Sequence, residues 1–148
     1  MKTYKVKVYD SGDKYWYLND KRHCEDGPAA EHAGGTKFWY LNGQLHREDG
    51  PAIESDNGSK RWYLNGKLHR EGKPAMEYAN GDKYWYLNGQ LHREDKPAVE
   101  LANGEKSWYI NGVKYTEKQF NEKMNPVVEL TIAEIEKRLN LKNLKIIK

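Results

Sequence analysis

Residues 74–93 read PAMEYANGDKYWYLNGQLHR, and the two Asn-Gly dipeptides in this stretch, Asn80-Gly81 and Asn88-Gly89, decide the fold. Asn-Gly tolerates the positive φ that a two-residue type I′ hairpin turn needs at both central positions. The flanking residues are rich in aromatics and show no helical period. The stretch therefore predicts a strand over Ala75–Tyr78, a turn, a strand over Lys83–Leu87, a second turn, and a short strand over Gln90–Arg93. Glu94, Asp95 and Lys96 then loop to the next Pro-Ala pair. Strand side chains alternate, so Trp85 and Leu87 share one face while Tyr84 and Tyr86 share the other. Two-residue turns at both dipeptides would set Trp85 opposite Met76 and His92, and Tyr86 opposite Ala75 and Leu91. The Trp face is then the expected core, because its partner column reads Ala30, Ile53, Met76 and Val99. The Tyr face is expected to be half-exposed. A one-residue slip would exchange the faces.

The same pattern recurs every 23 residues: Trp16, Trp39, Trp62, Trp85 and Trp108 mark the period. Tyr17, Tyr40, Tyr63, Tyr86 and Tyr109 form a second column, and His23, His46, His69 and His92 a third. Self-similarity of this kind is the mark of a repeat array. The expected fold is mainly β: an elongated antiparallel sheet of tandem β-hairpin repeats over residues 1–115, with a small helical cap over residues 116–148. Array ends need caps. At the N-terminus, Tyr4–Tyr9 falls in the register of a Pro-Ala strand but lacks Pro and Ala, so it is expected to act as a half-repeat. The fifth repeat departs from the pattern after Asn111-Gly112, where it reads VKYTEKQF and Tyr115 replaces His. Thr116-x-x-Gln119 and Thr131-x-x-Glu134 are capping boxes. They predict a helix near Glu117–Met124 and a second carrying Ile132, Ile135 and Leu139, with Lys137 and Arg138 in its last turn. Asn140 is the expected stop and Leu144–Ile147 a final strand.

Composition narrows the function classes. Hydrophobic content is 37% and mean hydropathy −1.06, low for a compact two-layer core. Such values raise the prospect of disorder. The 12% aromatic content, placed in strict register, argues instead for a thin sheet stabilised by Tyr and Trp. Net charge is +3, and residues 131–148 alone carry five Lys/Arg against two Glu, so the array itself is neutral. A neutral array is not the basic stripe that tracks phosphates. Cys24 is the sole cysteine, so no intrachain disulfide forms. No signal-peptide hydrophobic region or run of membrane-span length is present, and a cytoplasmic location is expected.

The unit NGKLHREGKPAMEYANGDKYWY resembles the MORN repeat and its bacterial and viral variants. The match rests on Asn-Gly after an aromatic strand, a following Leu-His, an apolar–aromatic strand and a second Asn-Gly-Asp-Lys, over roughly residues 4–115. The usual unit has Gly-x-Gly after the His, whereas this chain reads His-Arg-Glu-Asp-Gly-Pro-Ala, which points to the variant group. The resemblance implies a scaffold, a protein-binding module, an antitoxin-like partner or a phospholipid binder, with no catalytic residue to carry over. The C-terminal stretch LTIAEIEKRLNLKNLKIIK resembles segments of phage proteins, which implies a phage protein that binds a host factor.

The chemistry of the columns supports binding over catalysis. Histidines one repeat apart are separated by roughly 10–14 Å of sheet, too far to share a zinc ion bound at about 2.0–2.3 Å. No metal or cofactor is expected. A residue recurring in every repeat lacks the asymmetry of an active site, so no enzyme is expected. The candidate binding residues are Tyr40, Tyr63 and Tyr86 with Arg47, Arg70 and Arg93, because interfaces favour Tyr and Arg. One expectation is a host protein partner. The alternative is a nucleotide, nucleic acid or anionic lipid headgroup held by an aromatic–Arg ladder. Open sheet edges could also pair two copies as a homodimer.

Overall fold

A computed structural model describes residues 2–126 and 130–139; the expected stop at Asn140 and strand over Leu144–Ile147 lie outside them. Among the described residues the chain is mainly β, with one long antiparallel sheet, short two-stranded ribbons and two short C-terminal helices. The sheet begins with Lys5–Val8, which pairs with Lys14–Leu18 through Val6–Trp16 and Lys7–Tyr15. This segment takes the slot of a Pro-Ala strand at the array's end. Later repeats add two strands each in sequence order. Met76–Glu77, for example, lies between Lys60–Arg61 of the preceding repeat and Lys83–Tyr84 of its own.

The turn at Asn80-Gly81 differs from the expected two-residue turn. Gly81 N–H donates to the Tyr78 carbonyl at 2.9 Å and Tyr78 N–H to the Asp82 carbonyl at 2.9 Å, enclosing Ala79, Asn80 and Gly81. Gly81 has φ 98°, while Asn80 stays out of the left-handed region. A type I turn closed by a left-handed Gly is the three-residue hairpin loop. Asn80 serves it as an Asx turn, with Oδ1 accepting the Asp82 N–H at 3.1 Å. The extra loop residue slips the ladder by one. Met76 opposes Tyr84, so Ala75, not Met76, stands opposite Trp85.

Part of the expected facing is thereby corrected. The column Ala30, Ile53, Met76, Val99 lies on the Tyr side, opposite Tyr15, Phe38, Arg61 and Tyr84 and their neighbours. The interior tryptophans are flanked by Ala29, Ala52, Ala75 and Ala98, all 0% exposed. Trp85 N–H donates to the Ala98 carbonyl at 2.8 Å, and Trp62 N–H to that of Ala75 at 2.8 Å. An indole between two alanines fills space that larger neighbours would contest.

The second turn is the type I′ turn the sequence predicts: Asn88 and Gly89 have φ 52° and 86°. Tyr86 opposes Leu91, and His92 N–H donates to the Trp85 carbonyl at 3.0 Å. In the interior repeats the long strand breaks at the Trp, and the residues beyond it form a separate ribbon such as Tyr86–Leu87 with Gln90–Leu91. Neighbouring ribbons are tied by Gly89 N–H to the Leu68 carbonyl at 2.8 Å and Arg70 N–H to the Tyr86 carbonyl at 3.1 Å.

Side chains then staple repeat to repeat at both edges. At the sheet edge, Asp13 Oδ1 accepts Ala33 N–H at 2.8 Å, Thr36 Oγ1 accepts Asp56 N–H at 3.2 Å, Ser59 Oγ accepts Ala79 N–H at 3.0 Å, and Asp82 Oδ1 accepts Ala102 N–H at 2.8 Å. At the ribbon edge the staple is histidine, described below. The C-terminal end is covered by α1 (Glu117–Met124), which opens with the Thr116–Gln119 capping box and buries Phe120 against the last strands. The second helix, α2 (Ile132–Leu139), starts at Thr131 as predicted but buries none of its residues, so α1 is the part of the cap that closes the array.

Candidate functional site

The structure separates the two columns the sequence had grouped. Arg47, Arg70 and Arg93 lie on the Trp face, each over the indole of its own repeat: 4.2 Å to Trp39, 3.7 Å to Trp62 and 4.1 Å to Trp85. Each is also held by acceptors. Arg70 Nη1 donates to Glu77 Oε1 at 2.9 Å and to the Pro74 carbonyl at 3.1 Å. Arg47 makes the corresponding bonds to Glu54 and Pro51, and Arg93 to Glu100 and Pro97. Arg47 and Arg93 add Asp49 and Asp95, whose carboxyls they hold below the usual carboxylate range. These guanidiniums are locked into the fold, with little left to offer an anionic ligand.

Tyr40, Tyr63 and Tyr86 lie on the other face, half-buried and in line with Tyr17 and Tyr109. Burial pushes the Tyr63 hydroxyl pKa up, against the pull of Arg61, and pushes that of Tyr86 up as well. Tyr15, Tyr78 and Tyr84 widen the stripe; Tyr78 and Tyr84 meet edge to face at 5.7 Å. Two arginines that the sequence reading passed over stand within it. Arg22 sits 4.8 Å from the Tyr15 ring and 5.5 Å from that of Tyr40, and Arg61 sits 5.2 Å from that of Tyr78. Burial works against the Arg22 charge, but the Tyr17 and Tyr40 hydroxyls beside it hold its pKa above the ordinary value. Strand parity could have found both arginines, because Arg61 stands in the column of Tyr84 and Arg22 in that of Leu91, both on the Tyr face.

The histidine column is accounted for by the fold. The backbone N–H of Asn42, Asn65, Asn88 and Asn111 donates to Nδ1 of His23, His46, His69 and His92 respectively, each at 3.1 Å. An accepting Nδ1 places the ring proton on Nε2. That nitrogen faces a carboxylate two residues on, at 3.5 Å for His23–Glu25 and 3.6 Å for His46–Glu48. Each histidine therefore holds the left-handed turn of the next repeat. Among the described residues no group of three or more His, Cys, Asp or Glu could hold a metal ion. Shallow clefts open between successive loops on the Trp face, for instance beside Trp39, His46 and Arg47. Much of their polar lining, with Glu25, His46, Arg47, Glu48 and Asp49 in this cleft, is engaged in the staples and ion pairs just described. Cys24 borders one cleft as a free, half-buried thiol in the slot that arginine holds in later repeats.

Comparison with known protein families and with curated proteins found no match to this chain. The functional reading therefore stands on the two faces themselves.

Proposed function

We propose that this chain is a non-enzymatic protein-binding module of the MORN-like type that docks its partner on the Tyr face. The observation that carries this reading is the half-exposed tyrosine line Tyr17, Tyr40, Tyr63, Tyr86 and Tyr109 running across all five repeats. Tyrosine supplies large contact area at small entropic cost and is enriched where binding energy concentrates. The opposite face has its arginines bound to its own carboxylates. Phage-like C-terminal residues direct the search to a host protein, which the chain would inhibit or sequester in the cytoplasm.

The test is a tagged pull-down from nuclease-treated bacterial lysate, with a Tyr40→Ala, Tyr63→Ala, Tyr86→Ala triple variant alongside. A single protein recovered at near-equal stoichiometry with the parent chain, and lost with the folded triple variant, is the expected result. Equal recovery by both would sink the Tyr-face reading.

A further inference from the structure

We infer that the Tyr face selects an acidic protein segment, an inference that rests on the protein-binding reading above and names the chemistry of its partner. Counted along the chain, the array is electrically neutral. Counted by face, it is not. Strand pairing sets Lys5 opposite Tyr17, Lys7 opposite Tyr15, Arg22 opposite Tyr17, Arg61 opposite Ile53 and Met76, and Lys114 opposite Tyr109. All five cations therefore stand on the Tyr side. The paired residues between them on that side are Tyr, Phe, Leu, Ile, Met, Val, Ala and Ser, with no carboxylate among them. The carboxylates on this side, Asp13, Asp82 and Glu105, stand at the hairpin tips; Asp13 and Asp82 accept the next repeat's N–H there, and Asp13 borders a cleft with Tyr15, Tyr17 and Arg22.

The contrast with the opposite face is the decisive point. There Arg47, Arg70 and Arg93 each have a glutamate at 2.9–3.1 Å, and Lys14 has Glu31 at 4.0 Å. Among the described residues, none of Lys5, Lys7, Arg22, Arg61 or Lys114 is within ion-pair distance of a carboxylate; four instead rest over tyrosine rings. Cations left without carboxylates beside half-exposed aromatics form a surface whose missing complement is negative charge on an apolar background.

Two details favour a protein over a nucleic acid. Base stacking needs open ring faces, yet Lys7, Arg22, Arg61 and Lys114 already cover the faces of Tyr17, Tyr15 and Tyr40, Tyr78, and Tyr109. The cations are also spread singly across the array, whereas strand-tracking grooves line up charge along a phosphate backbone. Carboxylates reaching those cations, with apolar side chains settling between the tyrosines, match this spacing of charge and ring.

The probe is a short fluorescein-labelled peptide of alternating Glu and Phe, titrated by anisotropy against the full chain. A Lys-Phe peptide of equal length and an oligothymidylate serve as comparators. Saturable binding of the Glu-Phe peptide alone is expected. It should weaken about tenfold or more when Lys5, Lys7 and Lys114, all exposed, are changed together to Glu. The Arg22→Gln, Arg61→Gln variant should weaken it similarly, and circular dichroism checks that each variant is folded. Lys14→Glu with Lys37→Glu, on the Trp face, should leave binding within about twofold. Tighter binding of the oligothymidylate, an equal loss with the Trp-face variant, or no binding of the Glu-Phe peptide would overturn the inference. The two readings fail separately: if the pulled-down partner is lost with the Tyr triple variant but retained by the Lys5/Lys7/Lys114 variant, docking stands and acidic selection fails.

Discussion

Arg47, Arg70 and Arg93 show how one side chain can serve a fold several times over: an indole beneath, a glutamate seven residues on and a proline carbonyl four residues on. The first repeat has Cys24 in that slot, yet the surrounding partners are present as Asp26, Pro28 and Glu31, with Trp16 as the platform. Cys24→Arg should therefore complete the bracket. The gain expected from a partly exposed cation–π contact with its ion pair is about 0.5–1 kcal/mol, read as a higher urea midpoint at unchanged slope. A midpoint that stays put or drops would mean the first repeat does not share the interior geometry. Sequence alone grouped these arginines with the tyrosines because both recur in register. It could not say that they face opposite ways, since that depends on strand parity through an irregular loop.

The hairpins carry two turns of different kinds, and the chain contains a signal that separates them. At the second turn, Asn19, Asn42, Asn65, Asn88 and Asn111 all have φ near 50°, a conformation that Asn tolerates better than most residues. At the first turn the residue before the glycine is Ser11, Gly34, Asn57, Asn80 or Asn103. That variety is admissible because only the glycine is left-handed there. Reading both Asn-Gly pairs as the same turn produced the one-residue slip at Trp85. The second turn also depends on the preceding repeat, through His69 Nδ1 and the Asn88 N–H. His69→Ala should cost about 1 kcal/mol, the net worth of one hydrogen bond, and should speed hydrogen exchange at the Asn88 amide while leaving the Asn42 amide unaffected. Unchanged protection at Asn88 would show that the turn stands without its staple.

The whole molecule is a row of units that bury little by themselves. Among the described residues the fully buried apolar side chains are alanines, and Trp85 alone of the tryptophans is buried. Stability in such an array is shared between neighbours, so its ends matter disproportionately. At the C-terminal end α1 sets Phe120, 3% exposed, against the last strands. Phe120→Ala should remove about 3 kcal/mol from that end. Exchange protection should fall first along Val113–Tyr115 and last in the interior repeats. Uniform loss along the whole array would instead indicate all-or-none unfolding. At the other end, Val6 and Val8 are exposed at 49% and 68% on a strand paired along one side among the described residues. Lysines alternate with them, a pattern that discourages edge-to-edge association.

By itself the amino-acid sequence determined whatever is written locally: the 23-residue period, the second turn, both capping boxes, and the departure of the fifth repeat from the pattern. Local chemistry decides these because a left-handed Asn-Gly pair or a Thr-x-x-Gln box needs only its immediate neighbours. The tertiary structure alone decided which residues flank the tryptophans, which face each arginine serves and where charge is left unpaired. Those properties follow from pairing between strands, where one extra loop residue exchanges the faces of a strand relative to its partner. Net charge summed along the chain is blind to them: the sheet sets glutamates opposite lysines in the ladder of one face and leaves the ladder positions of the other face without carboxylates.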